Sequence, residues 1–251
     1  MPKSTKPPRG RASSKSRSLV PTKPHFVALV VPGRLILGGH EIQPEQILQI
    51  PDRRPRGDGP WRDEPDRVAW TDTATGYACL ILRQPDGTLA GFVAVGSSHP
   101  LWCHERDAIP PALSSSPHQG IDYAAQCDQR GRPELRVCHA DHVARGIQST
   151  PMAADSDASD DAWWFGFACD KVGDFLPNGH YRNNENREDG PRVYRDIGYV
   201  ADQVLSLADK LKALGDHAPS VSGDGVPGTG VPLVLEPKPR ALLPRKGGRH
   251  E

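Results

Sequence analysis

Residues 161–174 read Asp-Ala-Trp-Trp-Phe-Gly-Phe-Ala-Cys-Asp-Lys-Val-Gly-Asp, which puts four large aromatics, a thiol and three carboxylates into one short stretch of a chain that is only 6% aromatic. Adjacent residues of a strand point to opposite faces, so one of Trp163 and Trp164 turns into a core. The other needs a second partner: a helix, another chain or a ligand. His99-Pro100 and His118-Gln119-Gly120-Ile121-Asp122-Tyr123 add imidazoles, a phenol and a carboxylate. If the fold gathers these loops, His118, Asp170 and Asp174 are candidates for general acid and base work. Trp163, Trp164, His99 and Tyr123 would then line a polar, aromatic ligand pocket. His99, His118, Asp170 and Asp174 together would make a mixed nitrogen and oxygen shell for a divalent metal in hydrolysis, with a bound water as nucleophile. Each has a plainer reading as well: a turn histidine bonded to nearby backbone, a turn leading into a strand, and a tryptophan pair serving as core.

Other chemistry is less well supported. Cys127, Cys138, His139 and His142 are potential zinc ligands but lack the paired Cys-x-x-Cys loops of structural sites. Cys169 lies next to Asp170, whose charge disfavours a thiolate, so a buried structural thiol is expected. There is no dinucleotide- or P-loop-type phosphate loop, no Gly-x-Ser-x-Gly elbow and no His-Glu-x-x-His helix. No cofactor is therefore predicted.

These side chains need a scaffold to hold them. Residues 26–31 are a β-branched run closed by Pro32-Gly33 and read as a strand. Residues 42–66 lack periodicity and read as a long irregular connection, with one helical turn at residues 45–48. Residues 77–83 and 89–95 flank Pro85-Asp86-Gly87 and form a hairpin; both arms are apolar on both faces, so the pair belongs at the centre of a covered sheet. Further strands are expected at residues 134–138 and 162–167. Ile197, Val200, Val204, Leu207, Leu211 and Leu214 recur at spacings of three and four, giving an amphipathic helix stopped by Gly215. The fold class is α+β: a central, mainly antiparallel sheet packed by a C-terminal helix.

The ends set the domain limits. Residues 1–25 hold seven Lys or Arg and no Asp or Glu; with their Ser and Pro they are expected to be a disordered basic arm. Residues 216–251 are Pro- and Gly-rich and read as a second disordered tail, in which only residues 231–235 are apolar enough to dock locally. A single domain spans residues 26–215. The formal net charge is zero, which argues against a whole-protein nucleic-acid binder and leaves that role at most to the arm. The basic arm and the acidic run Asp155, Asp157, Asp160, Asp161 read as solvated segments of opposite sign. No stretch is long and apolar enough to span a bilayer, and no secretory signal is present, so a cytoplasmic protein is expected. Five cysteines, an odd number, signal no disulfide framework, and free thiols are expected.

The order of segments resembles an uncharacterised family of bacterial and bacteriophage proteins. The likeness rests on Gly91-Phe92-Val93 running to His99-Pro100, on His118 to Tyr123, on Trp163 to Asp174, and on Tyr194-Arg195-Asp196 opening a helix. It covers roughly the middle of the chain. Where the family pattern has Asp before the cysteine this chain has Ala168, and where it has His before Gly-Asp this chain has Lys171; both lost groups are potential ligands or bases. The resemblance implies a shared architecture and a phage or prophage setting, and no established activity.

Three functional expectations follow. The first is an accessory protein that binds a nucleotide-like ligand or a host protein through the polar, aromatic pocket. The second is a metal-dependent hydrolase built on the same loops. The third is an interaction domain that works through its basic arm.

Overall fold

Pro85-Asp86-Gly87 turns the chain between two runs of large apolar residues, and the molecule is built outward from that hairpin. The computed structural model describes residues 25–115, 117–127, 130–148, 161–179 and 191–216. Nine strands and three α-helices occur in them: β1 Val27–Ala28, β2 Leu35–Leu37, β3 His40–Ile42, β4 Pro44–Gln49, β5 Arg67–Thr71, β6 Ala78–Arg83, β7 Leu89–Val95, α1 Pro111–Ser114, β8 Tyr123–Gln126, α2 Ala140–Gln148, β9 Trp163–Ala168 and α3 Ile197–Asp216. Seven strands form one sheet in the order β1-β4-β5-β6-β7-β9-β8, every pair antiparallel. β2 and β3 pair separately. The α+β class and the central hairpin are as the sequence predicts, and the strand at residues 162–167 appears as β9.

Alternation divides the sheet into two layers. Val68, Trp70, Cys79, Ile81, Val93, Phe165 and Phe167 meet Val200, Val204, Leu207 and Leu211 of α3. Leu48, Ala69, Leu80, Leu82, Phe92 and Trp164 form the opposite layer, covered by Ala140 of α2 and by Leu135 and Val137 before it. Glycine lets α3 approach. A Cβ on Gly91 would lie 2.4 Å from Val204 Cγ2 and 2.6 Å from Phe167 Cζ. Asp196 caps α3, its Oδ1 accepting the Tyr199 backbone N–H at 2.8 Å.

Several expectations need correction. Residues 45–48 are not a helical turn: they lie in β4, whose pairing with β5 fixes them as extended. Of residues 26–31 only Val27 and Ala28 form strand against β4, with Leu29 adding one backbone hydrogen bond to the Ile47 carbonyl at 3.0 Å. Residues 134–138 are not a strand; Pro133, which has no N–H, opens a single 3-10 turn at Pro133–Leu135 instead. Gly215 lies within α3 and does not stop it, because the helix runs on to Asp216. α2 went unpredicted. The cysteines are not all free: Cys127 and Cys138 form a disulfide, with Cα atoms 4.9 Å apart, while Cys79, Cys103 and Cys169 are thiols. Sequence spacing cannot show such a juxtaposition, because the fold alone brings the end of β8 against the segment entering α2.

Two buried arginines tie irregular chain to the sheet. Arg83 at the end of β6 donates from Nε to Asp66 at 2.6 Å, from Nη2 to Glu64 at 3.0 Å, and from Nη1 to the Gly87 carbonyl and the Tyr194 hydroxyl, both at 2.9 Å. Asp66 also accepts the Ile50 N–H, and Glu64 accepts the N–H of Ile197 at the start of α3. The connection at residues 42–66 therefore supplies the countercharge for an arginine buried in the sheet. Arg67 holds the cystine segment by donating to the carbonyls of Arg136 at 2.6 Å and Cys138 at 3.0 Å, and to Gln46 Oε1 at 2.8 Å. Among the described residues no helix is long and apolar enough to cross a membrane. The expectations for residues 1–24, for the tail from residue 217 onward and for Asp155, Asp157 and Asp160 lie outside the described residues.

Candidate functional site

His118 and Asp174, far apart in sequence, meet against the N-terminal turns of α3. The loop carrying His118 has three successive residues with positive φ: His118 at 31°, Gln119 at 64° and Gly120 at 133°. Only the last is a glycine, so the first two are strained and persist because their surroundings hold them. The His118 backbone N–H donates to Gln203 Oε1 at 3.0 Å. Its ring is engaged on both sides: Nε2 lies 2.6 Å from Asp174 Oδ2 and Nδ1 lies 2.9 Å from the Tyr199 hydroxyl.

Asp174 is an acceptor on every side it presents. Oδ2 also takes the Lys171 backbone N–H at 3.0 Å, and Oδ1 takes Arg195 Nε at 2.8 Å. Arg195 Nε and the Lys171 N–H both donate to Asp174, and a proton on His118 Nε2 would complete its set of donors. Nδ1 of that neutral ring would then be the acceptor, and Tyr199 the donor. The His118 side chain is 1% exposed and that of Asp174 is not exposed at all. Neither can touch a substrate directly. Tyr199 is half-buried, and the Arg195 guanidinium lies 4.7 Å from the centre of its ring. Burial raises the Tyr199 phenol above its ordinary value, with Arg195 opposing. Cys169 is buried beside this cluster. Burial first, and then the charge of Asp174, push its thiol far up, in keeping with the expected inert thiol.

The remaining predicted residues lie elsewhere. Asp170 faces outward, 43% exposed, and pairs at 3.0 Å with Lys171 Nζ, which also pairs with Asp122. Burial works against the Lys171 charge, but the two carboxylates outweigh it and hold the ammonium above its ordinary value. His99 packs at the far end of α3, with Nε2 2.9 Å from the Leu211 carbonyl and Nδ1 accepting the Leu101 N–H at 3.1 Å. Twelve residues of helix separate Leu211 from Tyr199, about 18 Å. The shell of His99, His118, Asp170 and Asp174 does not assemble. Nor does the zinc set, because Cys127 and Cys138 are bonded to each other. Among the described residues no three His, Cys, Asp or Glu side chains are grouped to hold a metal ion.

The tryptophans divide as strand geometry requires. Trp163 packs on the margin of the helix-side layer and donates to the His104 carbonyl at 2.9 Å. Trp164, 1% exposed, turns into the opposite layer, and its Nε1 has no hydrogen-bond partner among the described residues. Tyr123 meets Phe92 edge to face in that same layer.

Open concave surface occurs on the side away from α3. A cleft of about 420 Å3 is lined by Tyr77, Ser97, His139, His142 and Asp161 among others, and one of about 500 Å3 by Glu45, Thr71, His139, Asp141 and His142. The two share the His139–His142 pair. The His139 ring lies 5.2 Å from Trp164 and 6.4 Å from the His142 ring. Sequence reasoning noticed these histidines only as zinc ligands, and it missed Tyr199, Gln203 and the ion-pairing carboxylates Glu64 and Asp66 altogether. Arg195 and Tyr194 were visible only through the family pattern. Comparison with protein-family models, with curated proteins and with solved structures finds no match to the chain.

Proposed function

We infer that the protein is a binding module of the phage or prophage accessory type, whose ligand occupies the paired clefts on either side of His139 and His142. The meeting of two open clefts at one imidazole pair carries this reading. Their combined size suits a small organic ligand. His139 backed by the Trp164 indole is an aromatic platform, and Ser97 and Asp161 line the first cleft with a hydroxyl and a carboxylate. That combination favours a planar, polar, nucleobase-like molecule, stacked on one face and hydrogen-bonded at its edge. The phage setting is supported by the resemblance of the central segments alone.

Adenosine and adenosine monophosphate, titrated separately into the full chain and followed by backbone amide NMR, test this. Shifts should concentrate at residues 76–78, 94–97, 139–142 and 161–162, and His142→Ala should weaken binding about tenfold or more while the fold is kept. Shifts confined to residues around His118, or none with either compound at millimolar concentration, would overturn the reading.

A further inference from the structure

Independently of the clefts, we propose that Tyr199 is a base-activated nucleophile toward uncharged or cationic esters. His118 takes the phenolic proton and Asp174 positions and stabilises the resulting imidazolium. Four observations carry this. The side chains stand in the order that a nucleophile, base and orienting carboxylate require, with the Tyr199 hydroxyl 2.9 Å from His118 Nδ1 and His118 Nε2 2.6 Å from Asp174. Asp174 is itself immobilised by Arg195 and by the Lys171 N–H. The base is presented from strained backbone at His118 and Gln119, and strain of that kind collects at functional sites. Finally, the two inner members are sealed from water while the tyrosine reaches the surface, so Tyr199 is the one point where the chain of protons can meet a substrate.

The surrounding charge selects the substrate class. Asp196 and Asp202 lie one turn on either side of Tyr199 in sequence, and Asp122 and Asp170 pair with Lys171, whose backbone N–H reaches Asp174. Lys171 and Arg195 are both paired with carboxylates. The rim is acidic and disfavours phosphate esters and other anions. In the first half-reaction the Tyr199 oxygen bonds to the ester carbonyl carbon as its proton passes to His118 Nδ1. The tetrahedral adduct collapses, the carbon–oxygen bond to the alcohol breaks, and the alkoxide or phenolate leaves and takes a proton from solvent water, while the first proton stays on His118. The hydroxide so formed attacks the aryl ester on Tyr199, the acid is released, and the Tyr199 oxygen takes back the proton held on His118.

4-Nitrophenyl acetate, mixed with the full chain and quenched in acid at early times, reads the first step directly. Peptide mass mapping should find the acetyl group on Tyr199 at least about tenfold ahead of Tyr123, which is also half-buried. His118→Gln should slow acetylation of Tyr199 about 100-fold, the usual worth of a general base, and 4-nitrophenyl phosphate should give no nitrophenolate above the Tyr199→Phe background. Acetylation of Tyr199 no faster than that of Tyr123 in the unaltered protein overturns the proposal, and this comparison holds whether or not the glutamine variant folds. An unchanged rate in a folded His118→Gln protein, or release of nitrophenolate from the phosphate that depends on Tyr199, overturns it as well.

Discussion

Replacing Asp174 by alanine tests the central element of the His118 cluster, and its cost can be worked from the contacts. Three donors lose their acceptor: the His118 ring N–H, the Lys171 backbone N–H and Arg195 Nε. The Arg195 side chain is 27% exposed and recovers water, so its share is small. The His118 ring is enclosed and the Lys171 N–H is part-buried, and a buried donor left unpaired costs about 1–3 kcal/mol. The expected loss is about 3–5 kcal/mol, in the range found when one member of a buried pair is removed. For a domain of this size each kcal/mol moves the melting temperature by about 2–4 °C, so the midpoint should fall by roughly 6–20 °C. Urea unfolding followed by tryptophan fluorescence gives the free energy, and Asp174→Asn should lie between alanine and the native protein because it keeps one acceptor oxygen. Lys171→Ala is the control: it removes a part-exposed ion pair and leaves the backbone N–H, and should cost less than about 1 kcal/mol. If Asp174→Ala costs no more than Lys171→Ala, the cluster does not hold the loops together.

Further outcomes follow from other parts of the structure. Burial lowers the pKa of His99 below its ordinary 6.5, with the Leu211 carbonyl opposing and His104 reinforcing; the unfolded chain then binds the proton first, so stability should decline as pH falls below about 6.5, and His99→Gln should flatten that slope in urea titrations across pH 5–7. Native thiol titration should count one fast group, the exposed Cys103, while unfolding without reductant should expose three thiols and unfolding with reductant five. Replacing Cys127 and Cys138 together by alanine opens a loop closed across 11 residues and should cost up to about 3 kcal/mol by loop entropy, measured by urea unfolding. Gly91→Ala would push a methyl group into Val204 and Phe167, which are fixed by the helix and sheet, and should cost about 1–3 kcal/mol as overpacking does.

The hairpin and α3 were legible because each is specified locally: a Pro-Asp-Gly turn between β-rich runs, and an apolar stripe at spacings of three and four. β4 was misread because Glu45, Gln46 and Leu48 favour helices when isolated, whereas pairing with β5 overrides that preference. α2 was missed because its short sequence carries Gly146 and no long apolar stripe. At the site, His118 and Asp174 were found as residue types, but their meeting depends on where α3 docks. Tyr199 was hidden because it lies beside the stripe that identified the helix, and nothing local distinguishes a phenol that caps a histidine from one that packs. Glu64 and Asp66 sit in a stretch that read as irregular, and only the burial of Arg83 in a two-faced strand demands them.

The two departures from the family pattern can be weighed from the same geometry. Ala168 shares the parity of Trp164 and Gly166 along β9, pairs with Ala90, and packs on the layer away from α3. An aspartate there would point away from His118, and its absence leaves the Tyr199–His118–Asp174 chain intact. At position 171 the contact that reaches Asp174 is the backbone N–H, which any residue but proline supplies. The side chain does something separate: its ammonium joins Asp122 to Asp170, and the Asp122 carboxylate in turn accepts the Ala168 N–H at 3.2 Å. Lysine is charged at neutral pH, so a permanent ion pair closes the loop after β9. The Lys171 side chain therefore sets the charge and closure of the loop after β9 and leaves the His118–Asp174 contact as it is.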